Sequence, residues 1–143
     1  MHRALIDAAG AADGEAVVAL WQACGLTRPW NDPHGDFALA IATATSTVFV
    51  GRDGDAVIGS VMVGFDGHRG WVYYLAVAPG RRREGLGRAL MHAAEQWLRA
   101  QNAPKIQLMV REGNDAAIGF YRALGLEVQP VVVLGRFLSP ASG

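Results

Sequence analysis

The stretch Val77–Ala89, V-A-P-G-R-R-R-E-G-L-G-R-A, is the part of the chain from which the fold is predicted. The apolar run before it, residues 71–77, predicts a buried strand that ends at Pro79 and Gly80. The amphipathic segment after it, residues 86–98, predicts a helix. The first turn of a helix carries unpaired N–H groups, and glycine lets an anion approach the backbone closely. A strand, a glycine-containing turn and a helix in immediate order therefore predict a phosphate site made mainly by backbone N–H groups. Further side-chain donors are present on Arg81, Arg82, Arg83 and Arg88.

Two common phosphate motifs do not fit this turn. Gly80 and Gly85 have the spacing of a P-loop, but Leu86 and Gly87 stand where that motif requires lysine and a hydroxyl residue. Gly85 and Gly87 also begin a dinucleotide fingerprint, but Leu90 replaces its third glycine, and the turn follows a late strand. Neither a P-loop nor a dinucleotide-binding unit is therefore predicted.

Composition limits the class of protein. The chain has 143 residues, is 51% hydrophobic and carries 13 basic and 13 acidic residues, so we expect one globular domain, residues 1–143. The charge balance argues against nucleic acid or a membrane surface as partner. A single cysteine, Cys24, excludes an intrachain disulfide and indicates a reducing cytoplasm. It lies on an apolar helix face, so we interpret it as a core residue. No apolar run is long enough to span a bilayer, and acidic residues interrupt the N-terminus, which does not resemble a signal peptide.

The first half of the chain predicts short strands and two helices. Asp13 is expected to cap a helix whose apolar residues recur at helical spacing up to Gly25. Asp53 and Gly54 form a hairpin signal between two strands. The predicted elements are a strand at Arg3–Asp7, the helix after Asp13, a helix at Phe37–Thr45, and strands at Val48–Gly51, Val57–Phe65 and Trp71–Val77.

The second half predicts a crossover. A strand at Ile106–Val110 follows the helix of residues 86–98 and is expected to run parallel to the strand before it. Asn114 is expected to cap a further helix, and Val131–Phe137 reads as a last strand. The fold class is therefore α/β (α+β), with about four helices and a mixed sheet of six or seven strands.

Two motifs together resemble those of the GCN5-related N-acetyltransferases (GNAT family). The pattern V-x-P-x-x-R-x-x-G-x-G begins at Val77, and N-x-x-A-x-x-F-Y-x-x-L-G begins at Asn114. The order of predicted elements also matches that fold across nearly the whole chain. The resemblance implies an antiparallel N-terminal half and splayed, parallel fourth and fifth strands. The segments R-P-W-N-D-P at 28–33, D-G-H-R-G at 66–70 and P-K-I-Q at 104–107 are similar to those of the YpeA-like bacterial members.

The resemblance implies acetyl-CoA as the acyl donor. Its diphosphate would be bound by backbone N–H groups of the turn, and its pantetheine arm would pair with the strand before the turn. A backbone N–H of Leu75 or Ala76 would polarise the thioester oxygen. The implied cofactor-binding residues are Leu75, Ala76, Val77, Arg82, Arg83, Glu84, Gly85, Leu86, Gly87, Arg88, Asn114 and Tyr121. His2, His34 and His92 show no metal-ligand spacing with each other or with Cys24, and no metal is expected.

The downstream motif implies a general acid. By resemblance, Tyr121 delivers its proton to the departing thiolate; a phenol with a pKa near 10 is protonated at neutral pH and can donate to a thiolate within hydrogen-bond reach. The alternative is a tyrosine that only packs in the core. Asn114 is implied to contact the cofactor, and a plain N-cap role is compatible with the same position.

The general base is less well defined. Ribosomal-protein acetyltransferases of the family carry a glutamate five positions before the asparagine, where this chain has Met109. Asp66 is the leading candidate, in a glycine-rich turn where a purely structural role is equally open. Other candidates are His68, Tyr73, Tyr74, Asp32 and Asp36, or a chain of water molecules. An acceptor pocket is predicted from Trp30, Asn31, Asp32, His68 and Tyr74.

Two functions follow as hypotheses. The first is an acetyl-CoA-dependent N-acetyltransferase whose acceptor, a primary amine of a small molecule, peptide or protein, attacks the thioester directly. The second is a catalytically idle acyl-CoA-binding or sensing domain on the same fold. We expect a monomer or homodimer.

Overall fold

The computed structural model describes residues 4–139, which form two compact units divided after Met109. The first unit contains all five strands and three of the four α-helices found in the described residues. The strands are β1 Leu5–Ala8, β2 Ser46–Asp53, β3 Ala56–Phe65, β4 Gly70–Val77 and β5 Ile106–Leu108; the helices are α1 Gly14–Ala23, α2 Pro33–Ala42, α3 Leu86–Ala100 and α4 Asp115–Ala123. A short 3-10 turn at Ala11–Asp13 precedes α1. Another at Pro79–Arg81 begins the Arg/Gly turn, which is residues 79–85 between β4 and α3.

The five strands form one mixed sheet in the order β1-β2-β3-β4-β5. β1 to β4 pair antiparallel, whereas β4 and β5 pair parallel. The prediction of an antiparallel N-terminal half with a parallel fourth and fifth strand is confirmed. The helix α3 makes the crossover between the two parallel strands.

Helices cover both faces of this sheet. Val48 and Val50 of β2 lie in one core cluster with the buried side chains of α1 and α2. Gly51, one residue further along β2, faces Leu86 of α3 instead. Because successive strand residues point to opposite faces, α1 and α2 cover one face and α3 covers the other.

The predicted count of six or seven strands is wrong for the described residues, which contain five. The missing element is Val131–Phe137, where no strand forms in spite of the β-branched sequence. Apolar β-branched residues make a segment suitable for pairing, but a strand exists only where a neighbouring backbone receives its hydrogen bonds. Most of the apolar side chains of this segment are exposed, among them Val132 and Leu134.

Several element boundaries also differ from the prediction, and two of these differences have a clear physical cause. The second helix begins at Pro33, four residues earlier than predicted, because Asp32 caps it: its Oδ1 accepts the Gly35 N–H at 3.1 Å, and proline is well suited to the first helical position. β5 ends at Leu108, two residues earlier than predicted, since its pairing with β4 stops there.

Asp13 does not cap α1 through its side chain, contrary to the prediction. Its carboxylate instead accepts the Gly10 N–H at 2.8 Å and both terminal nitrogens of Arg52, each at 2.8 Å. The Arg52 hydrogen bond and then the Gly10 N–H lower the pKa of Asp13 below its ordinary value of 3.8. The carboxylate therefore ties the start of α1 to the end of β2.

We expect Asp13→Asn to lower the free energy of unfolding at pH 7 by about 1–2 kcal/mol, the scale of hydrogen bonds to a charged group. Because the folded-state pKa of Asp13 is depressed, its contribution is complete above about pH 4 and is lost as pH falls through the folded pKa. Urea unfolding at pH 7 and pH 3 checks this: the variant and the native chain should differ more at pH 7. An equal difference at both pH values would contradict it.

Candidate active site

The Arg/Gly turn between β4 and α3 has backbone conformations suited to anion binding. Arg83 and Gly85 both adopt the left-handed conformation, with φ of 69° and 82°. Gly85 is the N-cap of α3 and supplies no side-chain cap, so the first N–H groups of this helix remain available to a ligand. Alternating left- and right-handed residues direct successive N–H groups into one concavity. The positive end of the helix dipole lies at the same point.

Two arginines of the turn are used by the protein itself. Arg81 forms ion pairs with Asp53 of the β2–β3 hairpin at 2.8 Å and with Glu84 at 3.2 Å. Arg82 donates from Nε to the carbonyl oxygen of Val77 at 3.4 Å. Arg83 and Arg88 are exposed, and neither forms an ion pair within residues 4–139. Within the described residues, the positive charge around this turn that no ion pair neutralises therefore comes from Arg82, Arg83 and Arg88.

The Arg81–Asp53 pair fixes the turn to the sheet, and sequence analysis missed it. We expect Asp53→Asn to weaken coenzyme A binding about two- to fivefold, the range of exposed ion pairs, because the turn becomes less ordered before binding. The matched control is Asp55→Asn, an exposed carboxylate two residues along the same hairpin, which should leave the Kd unchanged. Isothermal titration calorimetry measures both. Equal Kd values for the two variants would contradict an ordering role of Asp53.

Two glycines bring the start of α3 close to the sheet. Gly51 of β2 and Gly59 of β3 are partners in the antiparallel register. A Cβ at either position would come within 3.0 Å of the Leu86 side chain, the first residue of α3. Glycine inside a strand often marks such a close approach, and this was the available sequence signal. These glycines therefore allow the N-terminal end of α3 to lie close to the sheet.

β4 has an edge that β5 leaves unpaired. The parallel register with β5 ends at Val72, whereas β4 continues to Val77. On its other edge, Ala76 and Val77 pair with Ser60 and Gly59 of β3. The predicted splay of the fourth and fifth strands is therefore present, with residues 73–77 beyond the last pair with β5. An extended amide chain can pair with such an edge.

β4 also carries a bulge at the start of this edge. Tyr74 and Leu75 together oppose the single residue Val61, since Tyr73 pairs with Met62 and Ala76 with Ser60. Tyr74 has φ of 53°, a left-handed conformation that costs a residue with a Cβ roughly 1–2 kcal/mol. Backbone strain of this kind is frequently associated with functional sites. The bulge redirects the backbone immediately before Leu75 and Ala76.

The carboxylate of Asp66, the leading base candidate, accepts hydrogen bonds from residues of its own turn and from the start of β4. Its Oδ1 accepts the N–H groups of His68 and Arg69 at 2.8 and 2.7 Å, and its Oδ2 accepts the Trp71 indole N–H at 3.3 Å. The backbone hydrogen bonds from Arg69 and His68 lower the pKa of Asp66. A lower pKa makes a weaker base. These contacts favour the structural role for Asp66 that its glycine-rich turn also suggested.

The predicted acceptor residues are distributed over three elements. Trp30 is 51% exposed in the loop between α1 and α2, and the Asn31 N–H donates to the Arg28 carbonyl at 3.0 Å. Asp32 is the N-cap of α2, as described above. His68 lies in the β3–β4 turn, and Tyr74 lies in the β4 bulge. Of this group, only Tyr74 lies in the strand edge described here.

The second unit contains the downstream motif. The Asn114 side chain accepts the Ala117 N–H at 3.2 Å, which confirms its role as the N-cap of α4. Its amide nitrogen is a donor that this contact leaves unused. Tyr121 packs edge-on against Phe120, with ring centroids 5.1 Å apart, and partial burial raises the pKa of its phenol. Tyr121 is therefore protonated at neutral pH.

The described residues offer neither a metal-binding cluster nor a membrane-spanning helix. Residues 4–139 contain no cluster of three or more histidine, cysteine, aspartate or glutamate side chains able to hold a metal ion. Over the same range, no helix combines the length and apolar character needed to cross a bilayer.

Comparison with known proteins gives the family. Residues 13–126 match the sequence profile of the Acetyltransferase (GNAT) family. Acetyltransferase YE1169 of Yersinia enterocolitica is 44% identical over 126 residues, which cover 88% of this chain and 89% of the relative. Acetyltransferase ECA0875 of Pectobacterium atrosepticum is 45% identical with the same coverage.

Solved structures show the same fold at lower identity. A putative acetyltransferase from Agrobacterium tumefaciens aligns with a TM-score of 0.78 at 20% identity, covering 93% of this chain and 99% of the other. AAC(6')-Iy, in complex with the bisubstrate analogue CoA-S-monomethyl-acetylneamine, aligns with a TM-score of 0.81 at 16% identity, covering 96% of this chain and all of the other. With the turn, the splayed strands and the sequence relatives in agreement, this chain belongs to the GNAT family and is an acetyltransferase.

Proposed function

We propose that this protein transfers the acetyl group of acetyl-CoA to a primary amine by direct attack of the amine nitrogen on the thioester. The observation that carries the proposal is the continuity of two features in the first unit. The unpaired edge of β4 ends at Val77, and the uncapped, glycine-containing turn that leads into α3 begins just after it. An extended pantetheine arm and a diphosphate are joined in the same order in coenzyme A.

The donor is bound at its diphosphate and along its pantetheine arm. Backbone N–H groups of residues 82–88 bind the diphosphate, and Arg83 and Arg88 add exposed positive charge. The amides of the pantetheine arm pair with the backbone of residues 75–77. Where β4 bulges, an N–H of Leu75 or Ala76 donates to the thioester oxygen and stabilises the negative charge that develops on it. The unused amide nitrogen of Asn114 is a further donor for the cofactor.

The chemical step forms a C–N bond and breaks a C–S bond. The unprotonated amine attacks the carbonyl carbon, the C–S bond breaks, and the nitrogen loses its second proton to water or a nearby base. Tyr121 protonates the departing thiolate, and its raised pKa keeps the phenol protonated until that moment. The Tyr121 phenolate then regains a proton from water, which balances the proton lost by the amine. The products are the acetylated amine and free coenzyme A. The acceptor side is assigned to the loop of residues 30–32 and to His68.

Thiol release tests this function. The purified protein is mixed with acetyl-CoA and pairs of acceptors that differ only in an amine or a hydroxyl group: polyamines, aminoglycosides and peptide N-termini against their alcohol analogues. We expect free coenzyme A to appear only with amines. Tight acetyl-CoA binding without turnover on any amine would support the idle acyl-CoA-binding alternative. Failure to bind coenzyme A would overturn both functions.

Direct attack is tested separately, through Cys24. This is the chain's single cysteine, and its Sγ lies 3.3 Å from the carbonyl oxygen of Val77, beside the proposed donor strand. Direct attack predicts that Cys24→Ala keeps its turnover and that initial rates show intersecting, not parallel, double-reciprocal lines. Mass spectrometry after incubation with acetyl-CoA alone should show no added acetyl group. An acetylated Cys24 that forms and decays at the rate of turnover would establish a covalent route instead.

A further inference from the structure

The bulge in β4 is held by side chains from three other elements. The Tyr74 ring stacks on Trp21 of α1, with ring centroids 3.9 Å apart and an interplanar angle of 6°. At its far end, the Tyr74 hydroxyl donates to Asp36 Oδ2 of α2 at 2.8 Å. The ring is therefore fixed on its face and at its tip.

The backbone of the bulge is held as well. Ser60 of β3 is fully buried, and its hydroxyl donates to the Tyr74 carbonyl oxygen at 3.4 Å. The same hydroxyl accepts the Trp21 indole N–H at 2.9 Å, so one buried hydroxyl links α1, β3 and the bulge. Buried polar networks of this kind specify one geometry because each member would be costly to leave unpaired.

The Tyr74–Asp36 contact is a strong donor–acceptor pair. Asp36 forms no ion pair with any cationic side chain in residues 4–139, so the phenol is its charge-assisted donor. Burial, and then the Asp36 carboxylate, raise the pKa of Tyr74, which keeps the phenol protonated. Phenylalanine would keep the ring stack on Trp21 but could not donate a hydrogen bond to Asp36. The phenol hydroxyl is therefore the group that links the β4 bulge to α2.

We propose that Trp21, Ser60, Tyr74 and Asp36 are positioning residues that hold the β4 bulge so that the N–H groups after it meet the acetyl carbonyl. This inference rests on the proposed function, in which an N–H of Leu75 or Ala76 polarises the thioester. The four side chains act through the backbone, because Tyr74 immediately precedes those N–H groups. Displacements of about 1 Å at such donors reduce rates by roughly 100-fold, so the bulge needs to be rigid.

The test compares Tyr74→Phe, Asp36→Asn and the double variant. Phenylalanine keeps the stack on Trp21 and removes only the hydroxyl. We expect kcat at saturating substrates to fall about tenfold in each, a fraction of the 100- to 1000-fold loss that follows removal of a whole oxyanion donor. The Kd for coenzyme A, which lacks the acetyl group, should stay within about twofold. Both single variants remove the same hydrogen bond, between the Tyr74 hydroxyl and Asp36. The kcat of the double variant should therefore be no lower than that of either single variant.

Two controls separate positioning from stability and from direct contact with substrate. Asp55→Asn, an exposed carboxylate outside the network, should keep the native kcat. Ser60→Ala should lower kcat in the same way as Tyr74→Phe, with both assayed well below their unfolding temperatures. A native kcat in Tyr74→Phe would overturn the proposal. So would an additive double variant, or a loss in Asp36→Asn limited to cationic acceptors, which would show that Asp36 binds the amine directly.

Hydrogen exchange gives a readout that needs no turnover. We expect the peptide covering residues 73–78 to exchange faster in Tyr74→Phe, while β2 peptides are unchanged. In the native chain, acetyl-CoA should protect this peptide more than coenzyme A does, and the variants should lose that difference. Faster exchange spread evenly over the sheet would show a general stability role and overturn the proposal. If these differences appear without turnover on any amine, the positioning network stands and the proposed acyl transfer fails.

Discussion

Replacing Gly85 by valine is expected to raise the Kd for coenzyme A by at least about 100-fold. Gly85 has φ of 82°, where a β-branched residue is strained by roughly 1–2 kcal/mol or more, and it is the N-cap of α3. Apart from Gly85 and its two chain neighbours, no protein atom lies within 4 Å of the position a Cβ would take there. The side chain would therefore project into the open space that the diphosphate approaches, and the helix N–H groups would be blocked. Calorimetric titration with coenzyme A measures the effect.

Gly25→Val is the matched control for this substitution. Gly25 follows α1, has φ of 69°, and likewise has no protein atom within 4 Å of an added Cβ. Both variants carry similar backbone strain and should lose similar stability in urea unfolding, but only Gly85→Val should lose coenzyme A affinity. Native affinity in Gly85→Val would refute binding through the backbone of the turn. Equal loss in both variants would assign the effect to strain alone.

Replacing Tyr121 by phenylalanine should lower kcat by about 100-fold or more, within the range for loss of a general acid. The thiolate then leaves without a proton from the protein, while contacts with the donor remain, so the Kd for acetyl-CoA should change little. Partial burial raises the pKa of Tyr121, so the acid form persists above its ordinary pKa of 10. In the native enzyme, loss of rate from deprotonation of Tyr121 should therefore appear only above about pH 10.

Single-turnover kinetics with thiol detection measures this step without interference from product release. An acetylated coenzyme A analogue with a more acidic thiol provides the control, because its thiolate needs less help to leave and the variant should be less impaired with it. A Tyr121→Phe variant with a native single-turnover rate would remove Tyr121 from the mechanism. It would leave the turn and the β4 edge as the donor site.

Elements whose signals are local were predicted well. The glycine at position 85 predicted a turn that approaches an anion, and it adopts the left-handed conformation. Asp53 and Gly54 predicted the β2–β3 hairpin, and Asn114 predicted the start of α4. In each case the residue type restricts its own backbone or bonds within three residues, so neighbours in sequence contain the necessary information.

Residues whose partners are distant in sequence were predicted poorly. Asp13 has the type and position of a helix cap, but Arg52 pairs with it from 39 residues away. Tyr74 looks like an ordinary strand residue, and only Trp21, Asp36 and Ser60 together account for its left-handed backbone. The β-branched segment 131–137 has the composition of a strand without a strand being formed. Which of these long-range contacts forms depends on which helices and strands pack against each other in the fold.

The sequence by itself therefore determined the family and the order of elements from β1 to α4, because these depend on periodicity and on motifs of adjacent residues. The tertiary structure decided which arginines remain available to an anion, that Asp66 is engaged by its own turn, and that the β4 bulge is held by three other elements. Those properties are set by distances between groups far apart in the chain. A side chain's charge or proton becomes available for chemistry only when no closer partner in the fold uses it.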